Sequence, residues 1–344
     1  MIDLSCNYLG LKLRNPIIVG SSGLSSSLEN LIKAETAGAG AIVLKSVFEE
    51  QIQFEAEALI TSQDEGALRW KSAFQKIVSE KEQYYDEAYQ YLTDYATENA
   101  LEHYISFLKK AKEVCKIPLI ASINCKTQYD WALFAKRLEQ AGADAIELNV
   151  YVLPSDLTKS GTEHEKLYFD IIQEVKKYVQ IPISIKIGFY FSGLAHSALA
   201  LSQSGIAGLT LFNRPYNPDI DIDLIQVTAS NMFSNEHEYS HSLRWVALLA
   251  GKIDCDIAAS TGIHNSSSVI KQLLSGADAV QMVSVFYKHH FDIIPMILQE
   301  ISEWMEKHNF NTINDFKGKL SHKNIINPSM YERVQFIRLF SSVV

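Results

Sequence analysis

The chain has 344 residues, 47% of them hydrophobic, which is enough to bury the core of a large α/β barrel. Its formal net charge of -9 argues against a nucleic-acid backbone as the main partner, because that partner requires a basic surface. The sequence has neither a basic-then-apolar N-terminus nor a run of about 18 apolar residues. We therefore expect a cytoplasmic protein that is not secreted and does not span a membrane.

The cysteines are scattered through the chain without CxxC spacing. This pattern predicts no zinc site, no iron–sulfur cluster and no disulfide framework, and it favours a reducing compartment. The four residues are Cys6, Cys115, Cys125 and Cys255.

The first elements of the chain predict a small hairpin followed by a repeating unit. Residues 3–14 alternate around Leu9-Gly10, so residues 1–15 are interpreted as a hairpin that plugs one end of a barrel. From Asn15 onward, a strand, a loop and a helix recur eight times. The predicted strands lie in NPIIVGSS, AGAIVLKS, IPLIASINC, ADAIELNV, IPISIKIG, GIAGLTLFN, CDIAAST and ADAVQMVS.

Eight such units predict a (β/α)8 TIM barrel, which typically takes about 250 residues before insertions. Residues 47–116 interrupt the rhythm after strand 2, are rich in Glu and Tyr, and are interpreted as an active-site excursion followed by the second barrel helix. Residues 214–239 are expected to be mixed loop and helix. The whole chain, 1–344, is expected to form one barrel domain.

Three helix-to-strand junctions share one pattern, in which a Gly ends the helix and a buried strand follows. Such repetition is typical of one supersecondary unit used around a ring, so it supports the barrel. The junctions are AGAGAIVLK, AGADAIELN and SGADAVQMV.

Polar residues end most of the predicted strands, and in a barrel these ends share one face. The set contains two lysines and no clustered carboxylates, which disfavours two-carboxylate hydrolysis and hard-metal catalysis, so no metal site is expected. Neither a G-x-S-x-G elbow nor an HExxH motif is present. The residues are Ser21, Ser22, Lys45, Ser46, Asn124, Asn149, Lys186, Asn213, Thr261, Gly262 and Ser284.

The ends of the last two strands suggest an anion site. Small residues at Thr261-Gly262 precede a helix, and a second small-residue loop follows strand 8. Barrels frequently bind phosphate with the loops after strands 7 and 8. The alternative is an ordinary turn in which Asn265 or Ser266 caps the helix.

Lys186 lies in the otherwise apolar strand ISIKIG, where its charge has to be matched. It is either a member of a structural ion pair or a cation that faces a ligand. Together with Lys45, it could stabilise negative charge on a reduced flavin or on a carbonyl-rich substrate. A Schiff-base lysine is the competing interpretation. Asn149, at the end of ADAIELN, is either a ligand-facing group or a cap of the next turn.

In order, these segments resemble the dihydroorotate dehydrogenase family of FMN-containing barrels, and also the pyrimidine-reducing domain of dihydropyrimidine dehydrogenases. The similarity extends over most of the chain, and an ordered series is far more specific than any single motif. The segments are LGLKLRNPIIVGSSG, IVLKS, ASINC, ADAIELN, ISIKIG, GLTLFN, STGI, GADAVQM and DFKGKL.

The resemblance implies an FMN-dependent oxidoreductase that acts on the CH–CH bond of a dihydroorotate- or dihydropyrimidine-like substrate in pyrimidine metabolism. It is also compatible with a homodimer and a separate electron-transfer partner. The sequence shows no N-terminal amphipathic helix, so membrane docking is not expected. The FMN phosphate would lie at Thr261, Gly262, Val283 and Ser284. The isoalloxazine and ribityl chain would be surrounded by Gly20, Ser21, Lys45, Ser46, Asn124, Asn149 and Lys186. Asn149 and Asn213 match positions that bind the planar substrate ring.

The chain departs from the family after strand 4. Where relatives carry a cysteine or serine as general base, this chain has Val152, which accepts no proton. Pro154 stands where a substrate-binding Asn is expected, and NMFSNEHEYSHS replaces a glycine-rich segment. Candidate substitutes for the base are Ser155, Tyr151 and Cys125. Each has a structural alternative, respectively a cap, a packed rim residue and a small buried hydrophobe.

Two other functions stay open at this point. The chain could be a non-redox barrel, either a phosphate-ligand-binding protein or a lyase that uses Lys186. It could also be a catalytically altered family member with a different substrate.

Overall fold

A computed structural model of the chain describes residues 2–48, 100–124 and 128–333. Its strands are β1 (Cys6–Tyr8), β2 (Leu11–Leu13), β3 (Ile17–Val19), β4 (Ala41–Val43), β5 (Val47–Phe48), β6 (Leu119–Asn124), β7 (Ala145–Asn149), β8 (Ile183–Ile187), β9 (Gly208–Leu211), β10 (Pro218–Asp221), β11 (Gln226–Ala229), β12 (Asp256–Ser260) and β13 (Ala279–Met282).

The helices follow the strands in alternation over most of the chain. They are α1 (Leu28–Ala37), α2 (100–114), α3 (Gln128–Gln140), α4 (Gly161–Lys176), α5 (Leu194–Gln203), α6 (Tyr239–Leu249), α7 (Ser266–Ser275), α8 (Ser284–His289), α9 (Ile293–Lys307) and α10 (Ser329–Glu332), with short 3-10 turns at Gly23–Ser26 and Ile313–Asp315. No helix within the described part of the chain is both long and apolar enough to span a bilayer.

Eight parallel strands close into a barrel in the order β4, β3, β13, β12, β9, β8, β7 and β6, and β6 pairs back with β4. The predicted (β/α)8 barrel is therefore confirmed. Each strand is covered by helices on its outer face and by other strands across the barrel on its inner face. This double coverage explains the nearly continuous apolar runs in the sequence.

Strand register decides which polar groups share the barrel interior. Asn149 on β7 is paired with Lys186 on β8, and Lys186 is paired with Thr210 on β9. Paired residues in neighbouring strands point to the same side of a sheet. These three side chains therefore line the inner side, and Asn149 and Lys186 lie near the C-terminal ends of their strands.

The N-terminal hairpin is also confirmed, since β1 and β2 pair antiparallel. Its turn places Leu9 and Gly10 at φ 57° and 71°, and the Leu9 N–H donates a 2.7 Å hydrogen bond to Asp256 Oδ2. Tyr8 and Leu9 are buried against the first residues of β9 and β12. A Cβ at Gly208 would lie 2.3 Å from Leu9 Cδ2, so the absence of a side chain there makes room for the plug.

The glycines of the three shared junctions end helices as predicted. Gly38, Gly142 and Gly276 have φ values of 108°, 96° and 113°, in the left-handed region that favours glycine. Each is followed within three residues by the first residue of a barrel strand. The repeated sequence pattern therefore corresponds to one repeated connection.

The connection after β9 differs from the sequence-based expectation. Instead of mixed loop and helix, residues 214–239 contain the antiparallel hairpin β10–β11. Its cross-strand pair Ile220 and Val227 is 66% and 72% exposed. Of the excursion predicted over 47–116, the structure describes the β5 backbone and the helix α2 before β6; residues 49–99 lie outside the described part.

Candidate functional site

A chain of hydroxyl groups links the C-terminal ends of the first three barrel strands. Ser21 Oγ lies 3.1 Å from Ser46 Oγ, which lies 2.6 Å from Ser122 Oγ. The Ser46 N–H also donates to Ser21 Oγ at 2.9 Å. Tyr104 on α2 fixes the third strand, because its hydroxyl accepts a 3.2 Å hydrogen bond from the Ser122 N–H. This side of the barrel mouth is therefore ordered by small hydroxyl groups.

Lys186 belongs to a buried polar network inside the barrel. Its ammonium donates to Gln281 Oε1 at 3.0 Å, and Gln281 Nε2 donates to Glu147 Oε2. Thr210 Oγ1 donates to the same carboxylate oxygen at 3.0 Å, and the Tyr8 hydroxyl lies 3.4 Å from Thr210 Oγ1. Among the described residues, no carboxylate forms a direct salt bridge with Lys186. Glu147 therefore balances the charge of Lys186 indirectly, through the side-chain amide of Gln281.

The two predicted substrate-ring residues contact each other. Asn213 Nδ2 donates to Asn149 Oδ1 at 2.8 Å, and the Asn213 N–H donates to the Ile187 carbonyl at 2.8 Å. Asn149 therefore does not act as a simple cap of its own turn. Lys45, which is half-buried, and Asn124, the last residue of β6, lie at the ends of their strands as expected.

The loop after β12 is held in an uncommon backbone conformation. Thr261 and Gly262 both have φ 75°, which is strained for a β-branched residue such as Thr261. Thr261 Oγ1 donates to the Phe212 carbonyl at 3.1 Å, and a Cβ at Gly262 would lie 2.2 Å from the Tyr239 backbone N. Asn265 caps α7 by accepting from the Ser268 N–H at 2.9 Å. The capped turn of the structural alternative is therefore present, and it is compatible with an anion at the loop.

The loop after β13 adjoins a buried serine–histidine pair. Ser284 Oγ accepts a 3.0 Å hydrogen bond from the Ser234 N–H, and Ser234 Oγ shares a 2.9 Å hydrogen bond with His264 Nε2. Burial, followed by the charge of Lys288, lowers the pKa of His264. Gly20 also belongs here, because a Cβ on it would lie 2.8 Å from Val283 Cγ2. These contacts bring the loops after strands 1, 7 and 8 together.

The candidates for a proton-transfer group in the loop after β7 lie in different environments. Val152 is partly buried and packs on the core, whereas Ser155 is exposed and Asp156 caps its own turn through Thr158. Tyr151 packs at the barrel rim against Gly188, whose added Cβ would lie 3.1 Å from Tyr151 Cε2. Cys125 lies outside the described residues.

Several site residues were not predicted from the sequence. The list comprises Ser122, Tyr104, Glu147, Thr210, Gln281, Ser234 and His264. Three of them could have been predicted. Ser122, Glu147 and Gln281 are polar residues in apolar strands, and each lies two residues before a predicted site residue, so it points to the same side of the strand. Ser234 and His264 had no such sequence signal, since their pairing depends on the tertiary path of two loops.

The donor-rich rim fits a phosphate-bearing, carbonyl-rich cofactor. Hydroxyl groups and an ammonium line the inner face, whereas the only carboxylate of the described network, Glu147, lies below them and retains one unpaired buried oxygen, Oε1. Phosphate oxygens and ring carbonyls accept hydrogen bonds from such donors. Fold and rim together define a barrel protein whose ligand-binding face lies at the strand C-termini.

Comparisons with known proteins identify the family. The family model described as dihydroorotate dehydrogenase matches residues 3–305. The chain is 25% identical over 320 residues to the dihydroorotate dehydrogenase B (NAD(+)) catalytic subunit of Pyrococcus abyssi, with 92% of this chain and 98% of the relative covered. It is 23% identical over 347 residues to the NAD-dependent dihydropyrimidine dehydrogenase subunit PreA of Escherichia coli, with 94% and 78% covered.

A third relative is the putative dihydroorotate dehydrogenase A (fumarate) of Aeropyrum pernix, 26% identical over 217 residues, with 61% of this chain and 70% of the relative covered. The chain therefore belongs to the dihydroorotate dehydrogenase family, and it is an oxidoreductase of that kind. The resemblance inferred from its strand ends is confirmed.

Proposed function

We propose that the chain is an FMN-dependent oxidoreductase that acts on the CH–CH bond of a pyrimidine-like substrate. The observation that carries this proposal is the buried lysine at the end of β8, whose ammonium is aligned by Gln281 and balanced by Glu147. A fixed cation of this kind stabilises negative charge that develops on a reduced flavin ring. Family membership favours this function over a non-redox barrel.

Specific residues of this chain would hold the cofactor. Thr261, Gly262, Val283 and Ser284 would offer backbone and hydroxyl donors to the phosphate. The isoalloxazine and ribityl chain would lie over Gly20, Ser21, Lys45, Ser46, Asn124, Asn149 and Lys186. Bound FMN supplies hydride transfer, and the protein supplies position, charge and exclusion of water.

Asn149 and Asn213 would orient the substrate ring. Their side chains are joined by a 2.8 Å hydrogen bond, so each amide keeps further donors and acceptors for carbonyl and N–H groups. Pyrimidine rings carry both kinds of group. The names of the relatives support this substrate class, and Val152 in place of a base supports a reaction that differs from dihydroorotate oxidation.

The first test is the visible absorption spectrum of the purified protein. We expect a flavin spectrum, release of FMN on denaturation, and bleaching by dithionite. Lys186→Met is the matched variant, because it keeps the aliphatic stem and removes the charge; it should weaken FMN retention. A colourless protein that also fails to take up added FMN would contradict the proposal.

We also propose that electrons pass through a separate partner. The Pyrococcus abyssi relative is described as a catalytic subunit and the Escherichia coli relative as a subunit, so both names imply further chains. Turnover with a reduced nicotinamide only after a second protein is added would support this. Direct turnover by the isolated chain would contradict it.

A further inference from the structure

We propose that Tyr151 is a catalytic proton donor and that this enzyme reduces a carbon–carbon double bond in a planar substrate lying against Tyr151, Tyr190 and Phe189. The proposal rests on the proposed function, because it requires a reduced flavin as the two-electron donor. It assigns a direction to the reaction, reduction rather than oxidation, and a residue to its proton.

Backbone pairing places Tyr151 at the rim of the barrel. The Val150 N–H donates to the Lys186 carbonyl at 3.1 Å, so the ladder between β7 and β8 continues one residue beyond Asn149. Side chains alternate along such a ladder, and Asn149 points inward, so Tyr151 follows it on the same side. Tyr151 therefore lies on the same inner face of the barrel as Asn149 and Lys186, which we propose face the cofactor.

Gly188 makes room for the ring. It directly follows β8, and a Cβ there would lie 3.1 Å from Tyr151 Cε2 and 3.3 Å from Tyr151 Cδ2. Any larger side chain would push the phenol away from the end of β8. The glycine thus lets the phenol ring lie across the strand that carries Lys186.

Two further aromatic side chains extend this surface. The ring centroids of Tyr151 and Tyr190 are 6.4 Å apart in an edge-to-face arrangement, and those of Phe189 and Tyr190 are 4.6 Å apart with the rings tilted by 36°. Phe189 and Tyr190 are 44% and 37% exposed, so part of each ring is accessible to a ligand, and the His241 ring lies parallel to Phe189 at 6.3 Å. Phe189 also contacts Phe212, the residue before Asn213, at 6.1 Å. The aromatic surface is therefore continuous with the proposed ring-binding amides, and it suits a flat conjugated molecule.

The protonation state of Tyr151 decides its role. Burial, followed by the neighbouring Tyr190 hydroxyl, raises the pKa of Tyr151 to about 12. Tyr168 on α4 also interacts with it and is itself a neutral phenol, because burial raises the pKa of Tyr168 to about 12. At neutral pH the phenol is neutral and can donate a proton, whereas it is not available as a base. Val152, at the usual position of the base, cannot serve either.

The step balances in atoms and electrons. The double bond loses its π pair, one carbon gains a hydrogen with two electrons from the reduced flavin, and the other carbon gains the Tyr151 hydroxyl proton. The O–H bond of Tyr151 breaks, and the phenolate recovers a proton from water at the exposed Tyr190 edge. The products are the saturated compound and oxidised flavin.

Anaerobic half-reactions test the assignment. The purified flavoprotein is reduced with dithionite and mixed with uracil, orotate or 2-cyclohexenone, and the return of the flavin absorbance is followed. We expect Tyr151→Phe to slow this re-oxidation by about 10²- to 10⁴-fold, which is the usual contribution of general acid catalysis. Reduction by dithionite should be unchanged. Tyr178→Phe, at an exposed tyrosine just after α4 and outside this aromatic surface, is the control and should leave the rate unchanged.

A second readout does not depend on turnover. In NMR spectra with isotope-labelled tyrosine, the Tyr151 resonance, assigned by its absence in Tyr151→Phe, should shift when uracil or orotate is added to the oxidised flavoprotein. Loss of FMN binding by the wild type would defeat the proposed function itself. Equal re-oxidation rates in wild type and Tyr151→Phe, re-oxidation by none of the three acceptors, or a Tyr151 resonance that no acceptor shifts would overturn this inference and leave flavin binding intact.

Discussion

At the residue scale, Glu147 is the buried charge on which the inner polar network depends. It is 1% exposed, and its Oε2 accepts hydrogen bonds from both Thr210 and Gln281. A buried carboxylate is expensive to desolvate unless donors and a positive charge surround it. Lys186 supplies that charge, and the Gln281 side-chain amide links it to Glu147.

This arrangement predicts energetic coupling between the two charges. We expect Glu147→Gln to lower the free energy of unfolding by about 1–3 kcal/mol, because it leaves Lys186 with no buried counter-charge. The cost should shrink when Lys186→Met is already present, because the charge to be balanced is gone. Urea denaturation of the two single variants and the double variant measures this. Additive effects would show that the network carries no coupling.

How far sequence predicts individual site residues depends on where they lie. Lys45, Asn149, Lys186 and Thr261 were readable because each ends an apolar strand, and in a barrel all such ends share one face. Ser234 and His264 were not readable, because their contact depends on how two loops fold over each other. A local sequence pattern therefore predicts where a residue lies in a strand, but it does not predict which loops contact each other.

At the scale of elements, the N-terminal hairpin is a core component rather than an appendage. Tyr8 is fully buried, and its hydroxyl lies 3.4 Å from Thr210. Tyr8→Ala should therefore cost about 3–5 kcal/mol, as for other large buried side chains. Tyr8→Phe, which loses only one long hydrogen bond, should cost about 1 kcal/mol or less. Thermal or urea denaturation distinguishes them, and similar costs for both would contradict this packing role.

The carboxylate that anchors the hairpin predicts a pH dependence. Burial, followed by repulsion from Asp278, raises the pKa of Asp256, although the Leu9 N–H opposes that rise. A carboxyl with a raised pKa in the folded state favours folding below its unfolded pKa of about 4, and this contribution is lost as pH rises. Asp256→Asn, which can still accept from Leu9, should therefore gain stability relative to wild type between about pH 4 and pH 7.

Melting temperatures of wild type and Asp256→Asn at both pH values provide the measurement. Asp278→Asn is a contrasting variant, because it removes the repulsion on Asp256 but also breaks the 2.6 Å ion pair between Asp278 and Lys317. A loss of relative stability by Asp256→Asn at the higher pH would show that the charged hydrogen bond to Leu9 outweighs burial.

The barrel strands and the helix ends were predictable because apolar periodicity or a glycine marked them. The hairpin β10–β11 was not predicted. All eight barrel strands were found because burial on both faces leaves apolar runs. The hairpin β10–β11 was missed, because Ile220 and Val227 look like core residues in sequence although both are exposed. Strand pairing between short exposed segments leaves no burial pattern to read.

At the scale of the whole molecule, the proposed cofactor should contribute to global stability. Its predicted ligands come from strands 1, 2, 3, 4, 5, 7 and 8 of the barrel, so a bound flavin would join both ends of the chain. A ligand present at about 100 times its Kd stabilises the folded state by about 2.7 kcal/mol. We expect added FMN to raise the melting temperature, with riboflavin giving a smaller shift because it lacks the phosphate. Equal shifts for both would contradict a phosphate site at Thr261 and Gly262.

The family was predictable at this scale, whereas the particular reaction was not. An ordered set of strand ends specifies the barrel and its polar rim. Under the proposals above, the reaction would depend on single side chains in the loop after β7, where Val152 accepts no proton and Tyr151 packs on Gly188. A one-residue change there alters chemistry without altering any periodic pattern.

The N-terminal plug also constrains how the chain acquires its structure during synthesis. Leu9 and its partner Asp256 are 247 residues apart, and translation adds about 5–20 residues per second. Tyr8 and Leu9 therefore leave the ribosome about 10–50 s before the strand that anchors them exists. Until then the hairpin presents two large side chains that are buried in the folded protein, so the nascent chain needs protection from aggregation at this hairpin.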